Sequence, residues 1–194
     1  MSSDEYTADE HAQLLSVAFR SIDHGLEHGS PLAVSVEDFP LHLRSERACF
    51  VTLRSDGELR GCTGAIIARV PLVVCVAAHA FTSAFRDFRF PSLVSGELPD
   101  LEVAISVLSD PEPISFADET DLITHLRPGV DGLILSEAGE LATLLPSVWD
   151  SIPEPQQFLR QLKRKAGLPG GYWSPTIGVS RYTTEQFFGT HEDP

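Results

Sequence analysis

Apolar residues recur along this chain with two periods, and the switches between them mark out the elements. Leu14, Leu15, Ala18, Phe19, Ile22 and Leu26 fall at helical spacing and predict a helix over residues 8–28. Thr7 and Glu10 have the spacing of a capping box at its start, and Gly25 and Gly29 are candidate stops, with Pro31 beyond. Residues 47–54 are strand-like. Ser55-Asp56-Gly57-Glu58 then reads as a hairpin turn, with a return strand from about Leu59. Apolar strand-like stretches, Ala48 to Leu53 and Ala65 to Ala68, lie on either side of the segment between them. Pro71 suits the first position of a helix, and from there to Phe85 the sequence is apolar on most faces, which predicts burial on most faces.

The second half alternates more often. Leu101, Val103, Ile105 and Val107 share one face of a half-buried strand over 100–108. Ser115 or Asp118 caps a short helix through Leu126, ended by Pro128-Gly129. Strand-like runs at 132–136 and 141–145 flank the turn Glu137-Ala138-Gly139-Glu140. Ser151-Ile152-Pro153-Glu154 starts a helix whose apolar face is Phe158, Leu159, Leu162 and Ala166. Lys163, Arg164 and Lys165 fall in its last turn, where cations complement the helix dipole, and Gly167 follows as the cap. A final strand is expected near 176–182. Helices and strands mix without strict alternation, so the fold class is α+β with a mainly antiparallel sheet and flanking helices, not a doubly wound parallel sheet.

Composition narrows the function classes. A net charge of −14 repels phosphate backbones and anionic lipid, so neither nucleic acid nor a membrane surface is an expected partner. No apolar run approaches the length needed to span a bilayer, and the N-terminal residues lack the basic-then-apolar pattern of a secretion signal, so a soluble cytoplasmic protein is expected. Three cysteines, Cys49, Cys62 and Cys75, do not suggest a disulfide framework, and no pair has zinc-knuckle spacing. No metal or cofactor is expected. The chain carries no Gly-x-Gly-x-x-Gly, phosphate loop, Gly-x-Ser-x-Gly or His-Glu-x-x-His, so the common nucleotide-binding and hydrolase motifs give no support.

The run Leu59-Arg60-Gly61-Cys62-Thr63-Gly64 carries the candidate chemistry. Its glycines permit close backbone approach, and an arginine beside a thiol favours the thiolate. In an extended strand Arg60 and Cys62 share a face. Cys62 is either a nucleophile or a buried, space-filling thiol. Asp87 and Arg89 flank Phe88 in the segment after the apolar helix, and alternation points both the same way, toward a ligand or into a loop-anchoring ion pair. Strand, helix and segment form a short unit, so Arg60, Cys62, Asp87 and Arg89 are expected to converge. His79 lies four residues after Cys75 on one helix face, as a core histidine or a cleft residue, and His125 stands near the end of the short helix, where capping is the ordinary role.

The same run resembles the signature hexapeptide of the AMMECR1 family (the protein A-like component of AmmeMemoRadiSam systems), Leu-Arg-Gly-Cys-Ile-Gly, with Thr63 in place of isoleucine. The similarity continues at 84–91, with Phe88 in place of a proline, and at Leu101–Ser109, Gly132–Leu135, Leu145–Val148 and Lys165–Leu168. It implies one AMMECR1-like domain over 8–190, built of two closely packed lobes with a cleft between them, and flexible tails at 1–7 and 191–194. It implies no settled reaction. Cys62 is the candidate catalytic residue, Arg60, Gly61, Thr63, Gly64, Asp87 and Arg89 the candidate binders of a small polar or anionic molecule, and His79 and His125 candidate supports behind them. Relatives in bacteria and archaea are associated with Memo-like and radical-SAM proteins, so a non-catalytic ligand- or partner-binding component of such a modification system is the alternative to an enzyme; a scaffold domain is the third reading.

Overall fold

A computed structural model describes residues 5–191. The described residues divide into two compact units: one is 5–108 with 185–191, the other 109–184.

The first unit opens on helix α1 (Ala8–His28), whose Thr7 and Glu10 form the reciprocal capping box read from the sequence. Gly29, at φ 68°, closes it by donating to Gly25 O. Gly25 is not a stop. A Cβ there would lie 2.3 Å from the Phe85 ring, so it marks where α1 lets the aromatic end of another helix come close. After the single turn of α2 (Leu41–Arg44), strands β1 (Cys49–Ser55) and β2 (Glu58–Gly64) form an antiparallel hairpin. Asp56 and Gly57 both have positive φ, as a two-residue primed turn requires. The expected strand at 65–68 is absent. β1 begins at Cys49, so after Ala65 donates to Cys49 O there is no partner backbone left to pair with.

Helix α3 (Leu72–Phe85) buries Leu72, Val73, Cys75, Val76, Ala77, Ala80, Phe81 and Ala84, as its apolar composition requires. A 3₁₀ segment (Ser95–Asp100) leads to β3 (Leu101–Leu108), antiparallel to β1. The core joins α1 and α3 to the inward face of this sheet through Leu14, Ile22, Val51, Leu53, Val76 and Ile105.

The second unit adds β4 (Glu112–Pro113), helix α4 (Glu119–His125, capped by Asp118), the hairpin β5 (Gly132–Glu137) and β6 (Glu140–Leu144), helix α5 (Pro155–Lys165) and β7 (Gly178–Tyr182). The strands form a sheet in the order β4-β7-β5-β6. Lys163 differs from its expected place in a solvated last turn. It is fully buried, donates to Glu119 Oε1 at 2.7 Å and lies 5.3 Å from the centre of the Trp173 ring. The reason is helical phase: Lys163 follows Leu159 by four residues on the apolar stripe, and Glu119 on α4 supplies the counter-charge. Arg164 and Lys165 remain exposed.

A last strand, β8 (Thr184–Thr190), returns to the first unit and completes the order β2-β1-β3-β8. Of the expected N-terminal tail, residues 1–4 lie outside the described residues, but Tyr6 is buried and its N–H donates to Glu185. Of the C-terminal tail, 192–194 lie outside; the His191 ring meets Phe19 edge-on. No helix among the described residues is long and apolar enough to cross a membrane.

Candidate functional site

The signature run occupies β2, an edge strand, in the register Thr52↔Cys62 and Val51↔Thr63. One contact fixes which way each side chain points. A Cβ on Gly61 would lie 2.2 Å from the carbonyl oxygen of Ser83, so Gly61 faces the backbone of α3. Alternation puts Thr63 on that side and Arg60, Cys62 and Gly64 on the other. A Cβ on Gly64 would meet the Phe50 ring at 2.3 Å.

On the helix side, Ser83 Oγ accepts the Thr63 N–H at 2.9 Å and donates to Val51 O at 2.8 Å, so one helix hydroxyl bridges both arms of the hairpin. Thr63 Oγ1 lies 2.9 Å from Ser83 Oγ, donates to His79 O at 3.2 Å and sits 3.4 Å from His79 Nδ1. His79 thus stands behind the strand, on the side away from the Cys62 thiol.

At the open edge, the chain leaving α3 supplies what a neighbouring strand would. Asp87 Oδ2 accepts the Cys62 N–H at 2.9 Å, and Arg89 Nη2 donates to Cys62 O at 3.1 Å. The two side chains also pair with each other: Arg89 Nη2 to Asp87 Oδ2 at 2.6 Å and Nε to Oδ1 at 2.9 Å. A backbone edge that would otherwise invite another strand is closed at this residue. The Asp87 side chain is only 3% exposed, and Arg89, together with the Cys62 N–H, holds its carboxyl well below the usual carboxylate range. Arg89 is 45% exposed, and hydrogen bonding to Asp87 raises its own value. Phe88, between them, is 97% exposed.

On the face away from α3, the Cys62 thiol is partly accessible and accepts a hydrogen bond from Thr52 Oγ1 at 3.2 Å. Arg60 makes a two-pronged pair with Glu97, Nε to Oε1 at 2.6 Å and Nη2 to Oε2 at 3.2 Å, and this pairing lowers the Glu97 carboxyl. Arg60 Nη1 is buried with no hydrogen-bond partner among the described residues.

The structure therefore gathers Arg60, Gly61, Cys62, Thr63, Gly64, Asp87 and Arg89 around one strand, with His79 behind it. His125 belongs to the other unit, where its Nδ1 lies 2.8 Å from Asp121 O one turn back on α4. Ser83, Thr52 and Glu97 are partners the sequence reading missed. Ser83 was within reach of that reading, since it follows His79 by four residues on the same helix face. A shallow depression lined by Val17, Arg20, Leu32, Ala33, Asp38 and Phe39 involves none of the signature residues.

The AMMECR1 family model matches residues 15–187, which include every element that builds this site. The chain belongs to the AMMECR1 family. Its similarity extends over nearly the full length of archaeal relatives: a protein of Methanothermobacter thermautotrophicus is 35% identical over 191 residues, 95% of each chain. A protein of Thermotoga maritima is 32% identical over 173 residues, covering 88% of this chain and 94% of that one. The crystal structure of the uncharacterized protein PH0010 from Pyrococcus horikoshii superposes with a TM-score of 0.86 at 31% identity, covering 94% of this chain and 93% of that chain. The AMMECR1 fold is therefore a mixed helix and antiparallel-sheet structure here, as its element pattern predicts.

Proposed function

We propose that this AMMECR1-family protein is a cysteine-dependent enzyme that acts on a small polar or anionic molecule at the signature strand, with Cys62 as the attacking group. The observation that carries the reading is that a partly accessible thiol, Cys62, shares a strand face with Arg60, whose buried Nη1 has no acceptor among the described residues. A buried guanidinium N–H without a partner costs free energy that a ligand oxygen would recover. Thr52 Oγ1 aims a second donor at the sulfur, where it supports negative charge as the thiolate forms. Asp87 and Arg89 act on the backbone of Cys62, so their role is to fix the strand on which the thiol is displayed; Arg89 retains a solvent-facing side to meet a polar group. Gly61 and Gly64 give the strand its close seating, and Thr63 locks it to α3.

Two alkylating reagents of opposite electrostatic character test the anion site. Iodoacetate should label Cys62 faster than neutral iodoacetamide, and Arg60→Gln should abolish that preference, read by site-resolved mass spectrometry. Iodoacetamide labelling Cys62 faster in both proteins would overturn the anionic-substrate reading.

A second reading rests on Phe88. A phenylalanine 97% exposed between two residues that anchor Cys62 is an unusual place for an aromatic ring and suits a protein contact. On this reading the chain is a non-catalytic partner-binding component, and the Memo-like and radical-SAM proteins associated with relatives are the partners to try. Phe88→Ser weakening such a complex while leaving Cys62 labelling unchanged would favour it.

A further inference from the structure

The side chains of two of the three cysteines point into the core, away from the face that presents the Cys62 thiol, and they meet each other. Cys49 begins β1 and Cys75 lies in the first turn of α3, with their sulfurs 3.1 Å apart in the core. A disulfide bond is about 2.05 Å long, so closing the pair needs a movement of only about one ångström. The inward-facing strand position of Cys49 and the packing of α3 on β1 hold both side chains in place.

We propose that Cys49 and Cys75 are a redox-active dithiol that closes to an intramolecular disulfide when a small uncharged hydroperoxide oxidises it. Cys75 attacks first. Its sulfur forms a bond to the terminal oxygen of the peroxide, the O–O bond breaks, and the other oxygen leaves as an alcohol or as water after taking a proton. Cys75 is then a sulfenic acid. The Cys49 sulfur attacks the Cys75 sulfur, the S–O bond breaks, and hydroxide leaves as water with the proton of Cys49. Two thiols lose two electrons and two protons, and one hydroperoxide is reduced to an alcohol (or water) and water.

The environment assigns the order. The Cys49 S–H donates to Cys75, and His79, one turn along α3, adds a further hydrogen bond; against the opposing effect of burial, together they lower the Cys75 thiol below the ordinary thiol value. The α3 N-terminus acts in the same direction. Hydrogen bonding to Cys75 and burial push Cys49 up, which suits a resolving thiol that keeps its proton until the second step. Cys49 is 0% exposed and Cys75 3%, so a small neutral oxidant fits the site better than a bulky or charged disulfide. Cys75 and His79 share a face of α3, and His79 Nδ1 lies 3.4 Å from Thr63 Oγ1 of the signature strand.

The test uses the full native chain and hydrogen peroxide, followed by blocking of free thiols and peptide mapping without reduction. The expected result is a Cys49–Cys75 linked peptide that dithiothreitol releases, formed while the chain stays folded by circular dichroism, and an oxidised form that melts at higher temperature. In Cys75→Ser, Cys49 should then take up no oxygen. Cys49 and Cys75 both remaining reduced in the folded wild type would overturn the proposal. Oxidation of Cys49 in Cys75→Ser at the wild-type rate would also overturn it, because Cys75 would not be the attacking thiol.

Discussion

Gly61→Ala is expected to lower the unfolding free energy by about 2–4 kcal/mol, measured by chemical denaturation. The added Cβ would sit 2.2 Å from the Ser83 carbonyl oxygen and 3.0 Å from its carbon. These are helix backbone atoms, so no rotamer change relieves the clash. β2 must separate from α3, and α3 cannot simply retreat, because Ser21 Oγ donates to Ala77 O at 2.7 Å on its other side. The separation also breaks the Ser83 bridge between Thr63 N–H and Val51 O. Gly96→Ala is the matched control: no atom lies within 4 Å of a Cβ there, and its effect should stay within about 0.5 kcal/mol. A Gly61→Ala protein as stable as the Gly96→Ala protein would contradict the close seating of strand on helix.

Asp87→Asn should cost about 2–3 kcal/mol, because one buried carboxylate serves both the Cys62 N–H and Arg89. The partly exposed Arg89 rehydrates, which keeps the loss below that of a fully buried pair broken on one side. The dependence on pH has a definite sign. The folded-state value of Asp87 lies below its unfolded value, near 3.9, so the carboxylate stabilises the fold fully above that value and progressively less as pH falls below it. The stability gap between wild type and Asp87→Asn should therefore be largest at neutral pH and shrink as acid protonates Asp87. A gap that stays constant from pH 7 to about pH 2 would show that the charge of Asp87 carries none of the effect.

The sequence displayed the local half of this architecture and concealed the long-range half. Thr7 and Glu10, the Asp56-Gly57 turn, the wholly apolar α3 and the alternation of Leu101 to Val107 are short-range patterns, and the elements they predict are present. Gly25 reads as a stop because a glycine near a helix end commonly is one; only Phe81 and Phe85, far along the chain, give it a packing role. β8 escaped detection because its sequence, Thr-Glu-Gln-Phe-Phe-Gly-Thr, offers one buried apolar residue, Phe187, in a mostly polar strand. Lys163 looked like a last-turn cation because nothing near it in sequence reveals Glu119.

The site follows the same division. That Arg60 and Cys62 share a strand face comes from period two alone. The order of strand, helix and segment also brings Asp87 and Arg89 toward Cys62, but that Arg60 is paired with Glu97 across 37 positions, and that Asp87 and Arg89 grip the backbone of Cys62 and not its side chain, comes from tertiary contacts with no sequence signal.

The claim that Cys62 is the reactive group at the signature strand is tested most directly by the order in which the three thiols react. The folded chain is exposed briefly to limiting iodoacetamide at neutral pH, quenched, and mapped by mass spectrometry. Cys62, partly accessible on its strand face, should be modified before Cys49 and Cys75, which are buried in the core of the same unit. Modification of Cys62 no faster than Cys49 and Cys75, with all three reacting only on unfolding, would contradict it.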